Sequence, residues 1–271
     1  MSACHLLVAS AAALALLAAS PPAASHKALR CFAPDEVTRL KVTLPNTARA
    51  IRRGKALIIV TIGSSSTEGV GASDLAHSYP ALLAEELRRR WPRLAVVVLN
   101  MGVGGEMADQ MLARFERDVM PYHPHLVIWQ TGSNRVIKKG DIKGYADTIR
   151  EGIGRLKAAR TDVILMDPQY APRVIARPVH RRIVDSIRAV ASDLKVGVFQ
   201  RFAVMRHWVT SGRHKMEEIV ARDQLHMNDV SYGCIARLLA DSLAAAARAT
   251  PLPPVDGPAP AAGPRAATTV K

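Results

Sequence analysis

The chain has 271 residues, a formal net charge of +14, and is 49% hydrophobic but only 4% aromatic, which suits one large domain or two small ones with an aliphatic core. The basic residues are dispersed through Arg52, Arg53, Lys55, Arg88 to Arg90, Lys138, Lys139, Arg181, Arg182 and Arg213 to Lys215. Few aromatics and no recognisable binding motif argue against nucleic acid, leaving solvated helix faces or an anionic envelope, polysaccharide or lipid surface.

Residues 1–25 hold no Lys, Arg, Asp or Glu, and an Ala/Leu-rich run passes into "PPAAS". This reads as a secretory signal peptide cut near Ser25, which would place the mature chain in the periplasm or outside the cell. An uncleaved anchor is the competing reading, but the run is shorter than the ~20 residues needed to span a bilayer. Residues 26–55 read as an irregular lead-in. Cys4 would leave with the leader, so Cys31 and Cys234 remain. In an exported chain they could pair or stay free, and the sequence leaves both open. No metal-ligand spacing is present.

From residue 56 a repeating pattern begins. "ALIIVTI" (56–62) predicts a buried strand and 79–91 a helix, with Leu82, Leu83, Leu87 and Trp91 at helical spacing. Strands are expected at 94–100, 125–131, 162–167 and 196–199, with helices over 106–119, 141–159 and 178–194. Short apolar strands alternating with amphipathic helices predict an α/β domain with a mostly parallel sheet of about five strands, spanning 56–248. Residues 249–271 are Pro/Ala-rich and predict a disordered tail.

Parallel sheets carry their sites at the C-terminal ends of strands, and the unusual residues collect there. The first strand ends in Gly63-Ser64-Ser65-Ser66-Thr67-Glu68-Gly69. The second ends in Asn100-Met101-Gly102-Val103-Gly104-Gly105, and the third in Thr131-Gly132-Ser133-Asn134. Asp223 and His226 lie three positions apart near the C-terminus. A dinucleotide fingerprint fails at Met107, where close helix–strand packing wants Gly or Ala.

Acyl transfer uses all four segments. A serine hydroxyl needs an imidazole to take its proton, and the imidazole needs a carboxylate to fix its tautomer. Ser65, His226 and Asp223 fit those roles. The Ser65 N–H, the Gly105 N–H and the Asn134 amide are candidate donors to an oxyanion. Such chemistry requires no metal or organic cofactor.

The set resembles the SGNH, or GDSL-type, serine hydrolases. Gly63 to Gly69 is similar to the family's Gly-Asp-Ser-x-[ST]-x-Gly block, Asn100 to Gly105 to Asn-x-Gly-x-x-Gly, Gly132 to Asn134 to Gly-x-Asn, and Asp223 with His226 to Asp-x-x-His. The resemblance implies a three-layer α/β/α sandwich and an exported esterase acting on small or medium acyl esters, including O-acetyl groups of polysaccharides. The register against that block selects Ser65 among three adjacent serines. Two positions depart from it: Ser64 stands where the family has Asp, and Arg135 where it has a second Asp. Arg135 either favours an anionic substrate or points away. An O-acyltransferase using the same site and a catalytically silent envelope- or carbohydrate-binding module are the alternatives.

Each residue also has a plainer reading. Gly-flanked serines form turns, Asp223 can cap a turn, Asn228 or Asp229 can cap the following helix, and Asn134 can hold its own loop. Gly102 and Gly104 are expected to shape a turn. Glu68, Glu106 and Asp109 are expected to face solvent or support loops.

Overall fold

The computed structural model describes residues 31–138, 142 and 144–251. The expected signal peptide, the first residues of the lead-in and nearly all of the expected tail lie outside the described residues. In chain order the elements are α1 (Pro45–Arg53), β1 (Ala56–Gly63), α2 (Ser65–Glu68), α3 (Tyr79–Arg90), β2 (Ala95–Gly102), α4 (Ala108–Ala113), β3 (Leu126–Gln130), α5 (Ser133–Ile137), α6 (Tyr145–Ala158), β4 (Asp162–Met166), α7 (Val179–Asp193), β5 (Gly197–Phe199), α8 (Arg201–Thr210) and α9 (Asp229–Ala249). Shorter helical turns lie between several of them.

The five strands form one sheet in the order β2-β1-β3-β4-β5, with all pairs parallel. Parallel neighbours need crossovers, and right-handed crossovers put helices on one face while the winding runs one way and on the other when it reverses. Accordingly α1, α3 and α9 pack together, as do α4, α6 and α7. The result is the three-layer α/β architecture. β3 and β4 are buried throughout and β1 nearly so, because helices cover both faces. β2 has the same Val-rich look in sequence but is an edge strand, and Val97 is 40% exposed. The apolar α9 is a core helix, with Tyr232, Ile235, Leu239 and Leu243 buried among the other core residues.

Two expectations are corrected. The lead-in is not irregular over its described part, since it contains α1 and a turn at Asp35–Thr38. Pro45 supplies a first helical residue that needs no N–H partner. The N-terminal donors of α1 are met by a carboxylate from elsewhere: Asp162, at the start of β4, accepts from Thr47 N (2.8 Å), Asn46 N (3.3 Å) and Asn46 Nδ2 (3.0 Å). The helix expected over 106–119 is broken at Arg114, which is 6% exposed. Its guanidinium binds Glu106 and Asp118, both at 2.8 Å, and the carbonyls of Met101 and Gly63 at 2.7 and 3.3 Å. One side chain thus closes the ends of β1 and β2.

Cys31 and Cys234 are joined in a disulfide that ties the N-terminal segment to α9. Trp208 Nε1 donates to Phe32 O at 3.1 Å, and Leu44 N donates to Thr250 Oγ1 at 2.9 Å. These bonds fasten both ends of the described chain to the same flank.

Asp162→Ala leaves the buried Thr47 N–H without its acceptor. It is expected to lower unfolding free energy by about 1 kcal/mol, as a lost helix cap does, measured by urea denaturation. A second carboxylate carries a pH signature. Asp167, just past β4, is fully buried and accepts from Phe202 N at 2.8 Å, at the start of α8. Burial raises its carboxyl from the ordinary 3.8 to about 6, against the opposing pull of that hydrogen bond and of Arg188 and Arg201. The folded chain therefore holds a proton that the unfolded chain has released. This group's contribution to stability falls as pH rises from about 4 to about 6. Asp167→Asn is expected to lack that slope, so that the difference between wild-type and variant stability falls from about pH 4 to about pH 6, measured by thermal unfolding across the window.

Candidate active site

The sheet order reverses direction between β1 and β3, and α/β folds of this order open a crevice at that point, beyond the strand C-termini. β1 delivers Ser65, β3 delivers Asn134, and the loop after β2 delivers Gly105 beside them. Ser65 is the first residue of α2, after Ser64 in extended conformation.

Asp223 and His226 come from a loop closed by an antiparallel bridge between Val220 and Met227 and by Ala221 N donating to His226 O at 2.8 Å. Asn228 caps α9, its side chain accepting from Ser231 N. Asp223 Oδ1 accepts from the backbone of Leu225 and His226, both at 3.0 Å. Its Oδ2 pairs with His226 Nδ1, and His226 Nε2 lies 2.7 Å from Ser65 Oγ. A proton on Nδ1 facing the carboxylate leaves Nε2 as the acceptor for the serine hydroxyl. Burial pushes the Asp223 carboxyl up, but hydrogen bonds from the His226 side chain and backbone and from Leu225 outweigh it and hold it below the ordinary value. The carboxylate therefore stays ionised behind the imidazole. This arrangement can pass a proton from Ser65 to His226 as the oxygen attacks.

The expected oxyanion donors lie around the same serine. Among the described residues, the N–H groups of Ser65 and Gly105 have no acceptor within the chain. Asn134 Nδ2 donates to Glu106 O at 2.9 Å, so it holds the loop after β2 and not its own, and the amide retains a second hydrogen. One helical turn on, Lys138 Nζ donates to Gly105 O at 2.8 Å. Two side chains of one helix thus hold two successive carbonyls of the Gly105 loop.

The departures from the hydrolase blocks also have places. Ser64 N and Oγ donate to Gln130 Oε1 at 3.0 and 3.2 Å. Arg135 points away from Ser65: it meets Asp109 at 3.3 Å and lies 5.6 Å over the Tyr145 ring. Glu106 is paired with Arg114.

The chain matches a known family over residues 30–249, most of its length: the Non-GDSL lipase-like family. It belongs to that family. Ser64, where GDSL proteins carry Asp, is in keeping with the family's description. An acetylxylan esterase from Geobacillus stearothermophilus is 27% identical over 147 residues, covering 50% of this chain and 67% of that protein. Among solved structures, a two-domain esterase active on acetylated mannans, co-crystallised with mannopentaose, superposes with a TM-score of 0.66 at 20% identity. The alignment covers 82% of this chain and 58% of that one, so this chain spans little more than half of the two-domain protein. The Geobacillus stearothermophilus acetylxylan esterase Axe2 superposes with a TM-score of 0.60 at 20% identity, over 69% of this chain and 94% of its own. The family match and the acetylxylan esterase similarity support an ester-hydrolysing enzyme.

Within this family member, several residues that position the site were not singled out from sequence. Gln130 ends an otherwise apolar strand, a signal that was there to read. Gly71 carries another. Its φ is +93°, and a Cβ there would lie 2.3 Å from Met227 O and 2.8 Å from His226 Cβ. Gly102 does for α2 what Gly71 does for the His226 loop: a Cβ would lie 2.0 Å from Glu68 N. The expected turn-shaping role of Gly102 is thus a close backbone approach. A cavity of about 730 Å³, lined by residues that include Leu82, Arg89, Val230 and Arg237, takes in none of Ser65, Asn134 or His226. Ser65 is half-buried, and Val103 and Gly104 in the loop after β2 are exposed.

Gly71→Ala should displace the His226 loop, where an ångström of misplacement costs about 100-fold in rate. The expected outcome is labelling of Ser65 by a serine-directed fluorophosphonate slowed by about that factor, read as adduct mass against time.

Proposed function

We propose that this protein is an exported carbohydrate esterase that removes short acyl groups, acetyl foremost, from a polysaccharide or oligosaccharide by a serine mechanism of the SGNH type. The observation that carries this reading is the Asp223–His226–Ser65 chain of contacts, with His226 Nε2 2.7 Å from Ser65 Oγ. Ser65 attacks the ester carbonyl while His226 takes its proton. The tetrahedral oxyanion is received by the N–H groups of Ser65 and Gly105 and by the Asn134 amide. His226 then protonates the sugar oxygen as its bond to the acyl carbon breaks, leaving acyl-Ser65, and water deprotonated by the same imidazole attacks that ester and releases the acid and free Ser65.

Acetylated carbohydrate as substrate draws on the relatives, which include an acetylxylan esterase and an esterase active on acetylated mannans. Two Axe2 structures are of catalytic mutants, one at a serine and one at an aspartate. Export is supported by the apolar segment in residues 1–25 and by the Cys31–Cys234 bond, since disulfides persist in oxidising compartments. Ser64 and Arg135, the two departures from the hydrolase blocks, have structural partners in Gln130 and Asp109, so neither is a ground for a catalytically silent module. That leaves it no specific support.

The test is acetate release from acetylated xylan and acetylated glucomannan, beside p-nitrophenyl acetate and butyrate, by wild type, Ser65→Ala and His226→Ala. Each variant is expected to lose about 10³-fold or more in kcat, with acetate preferred to butyrate. Turnover that survives Ser65→Ala would sink the mechanism. Transfer of acetyl to an added sugar in preference to water would redirect the assignment to acyltransfer.

A further inference from the structure

The loop that carries Asp223 and His226 has to be held against the Ser65 loop, and the bonds that hold it come from beyond β4. Gln169 is 1% exposed and lies two residues past the buried Asp167. Its amide reaches three segments of the site at once. Oε1 accepts from Ser133 Oγ at 2.7 Å and from Arg201 Nη2 at 3.0 Å, with Ser66 Oγ at the limit of bonding, 3.5 Å. Nε2 donates to Leu225 O at 3.0 Å. Ser66 follows Ser65, Ser133 precedes Asn134, and Leu225 precedes His226. The amide orientation is fixed by chemistry. Reversed, its NH₂ would face the Arg201 guanidinium, which only donates, and its oxygen would face the Leu225 carbonyl, which only accepts.

Arg201 is itself fully buried and anchored, with Nε donating to Asp167 O at 3.0 Å. A second bond joins the same segments, Arg173 N donating to Gln224 O at 3.0 Å. The His226 loop is thus docked on the chain after β4 at two consecutive carbonyls, 224 and 225. Its contact with Ser65 is the imidazole itself.

We propose that Gln169 is the positioning residue of this site: it sets the His226 loop in register with Ser65 and Asn134 without touching the reacting atoms. The kinetic part of this proposal rests on the esterase reading above. Its structural part does not.

Two variants separate the halves of the amide. Gln169→Glu keeps oxygen acceptors for Ser133 and Arg201 but replaces the donor to Leu225 O with oxygen. Gln169→Met keeps length and removes every bond. With p-nitrophenyl acetate, kcat is expected to fall about 10- to 100-fold in both, with KM within about twofold of wild type. Gln169→Glu is expected to keep more of its thermal midpoint than Gln169→Met, because its carboxylate still faces Arg201 although one oxygen opposes the Leu225 carbonyl. A merely structural Gln169 predicts instead that Gln169→Glu, once folded, turns over like wild type, and that result overturns the proposal.

Ser65→Ala assayed alongside shows whether the measured turnover belongs to this site. If it does not, the esterase reading fails, and Gln169 is then judged by hydrogen exchange of the peptide spanning 220–228. Exchange about tenfold faster in both variants supports the docking role, and unchanged exchange overturns it.

Discussion

A parallel sheet that winds first one way and then the other must leave a gap between its first and third strands, because the helices that cover them go to opposite faces. Everything that can do chemistry in this protein is built on that gap. β1 ends there in a serine, β3 in an asparagine, and β2 sends its glycine-rich loop across the same edge. The order of strands, more than any one contact, brings together residues that lie 161 positions apart at the His226–Ser65 bond.

The gap is polar and partly dry, which is costly unless each buried group finds a partner. Three long side chains supply several of those partners. Arg114 gathers the terminal carbonyls of β1 and β2, Gln130 gathers the donors of Ser64 and Thr67, and Gln169 joins the loops around them. Their work is accuracy. A serine, an imidazole and two N–H groups are useful only when fixed to a fraction of an ångström, and loops alone do not give that. Two glycines serve the same end, since side chains at Gly71 or Gly102 would collide with the backbone of the neighbouring site loop.

The sequence disclosed the sheet well because β1, β3 and β4 are buried on both faces and so read as unbroken apolar runs. It pointed to Ser65, Gly105 and Asn134 through short blocks at strand ends and to Asp223 and His226 through their spacing before the last helix, and the structure sets His226 between Asp223 and Ser65. What stayed hidden depends on partners distant in the chain. Nothing local marks β2 as an edge. Nothing near Pro45 announces that Asp162 will finish the helix beginning there. The break at Arg114 follows from a guanidinium drawn into the end of the sheet, not from a helix-breaking residue. Gln169 escaped for a simpler reason. The fourth strand also runs into polar residues, Asp167 and Gln169, but they belong to no recognisable block.

The bond between Cys31 and Cys234 closes a loop of chain with a sequence separation of 203, and all five strands lie inside it. The fold is therefore a ring with two short ends. A protease that cuts any one exposed turn within the ring opens it without releasing a fragment, because each half still holds one cysteine of the pair. The halves of the nicked chain stay at intramolecular concentration, and strands severed from each other in sequence remain neighbours in space. One break in the backbone is then not the end of the molecule.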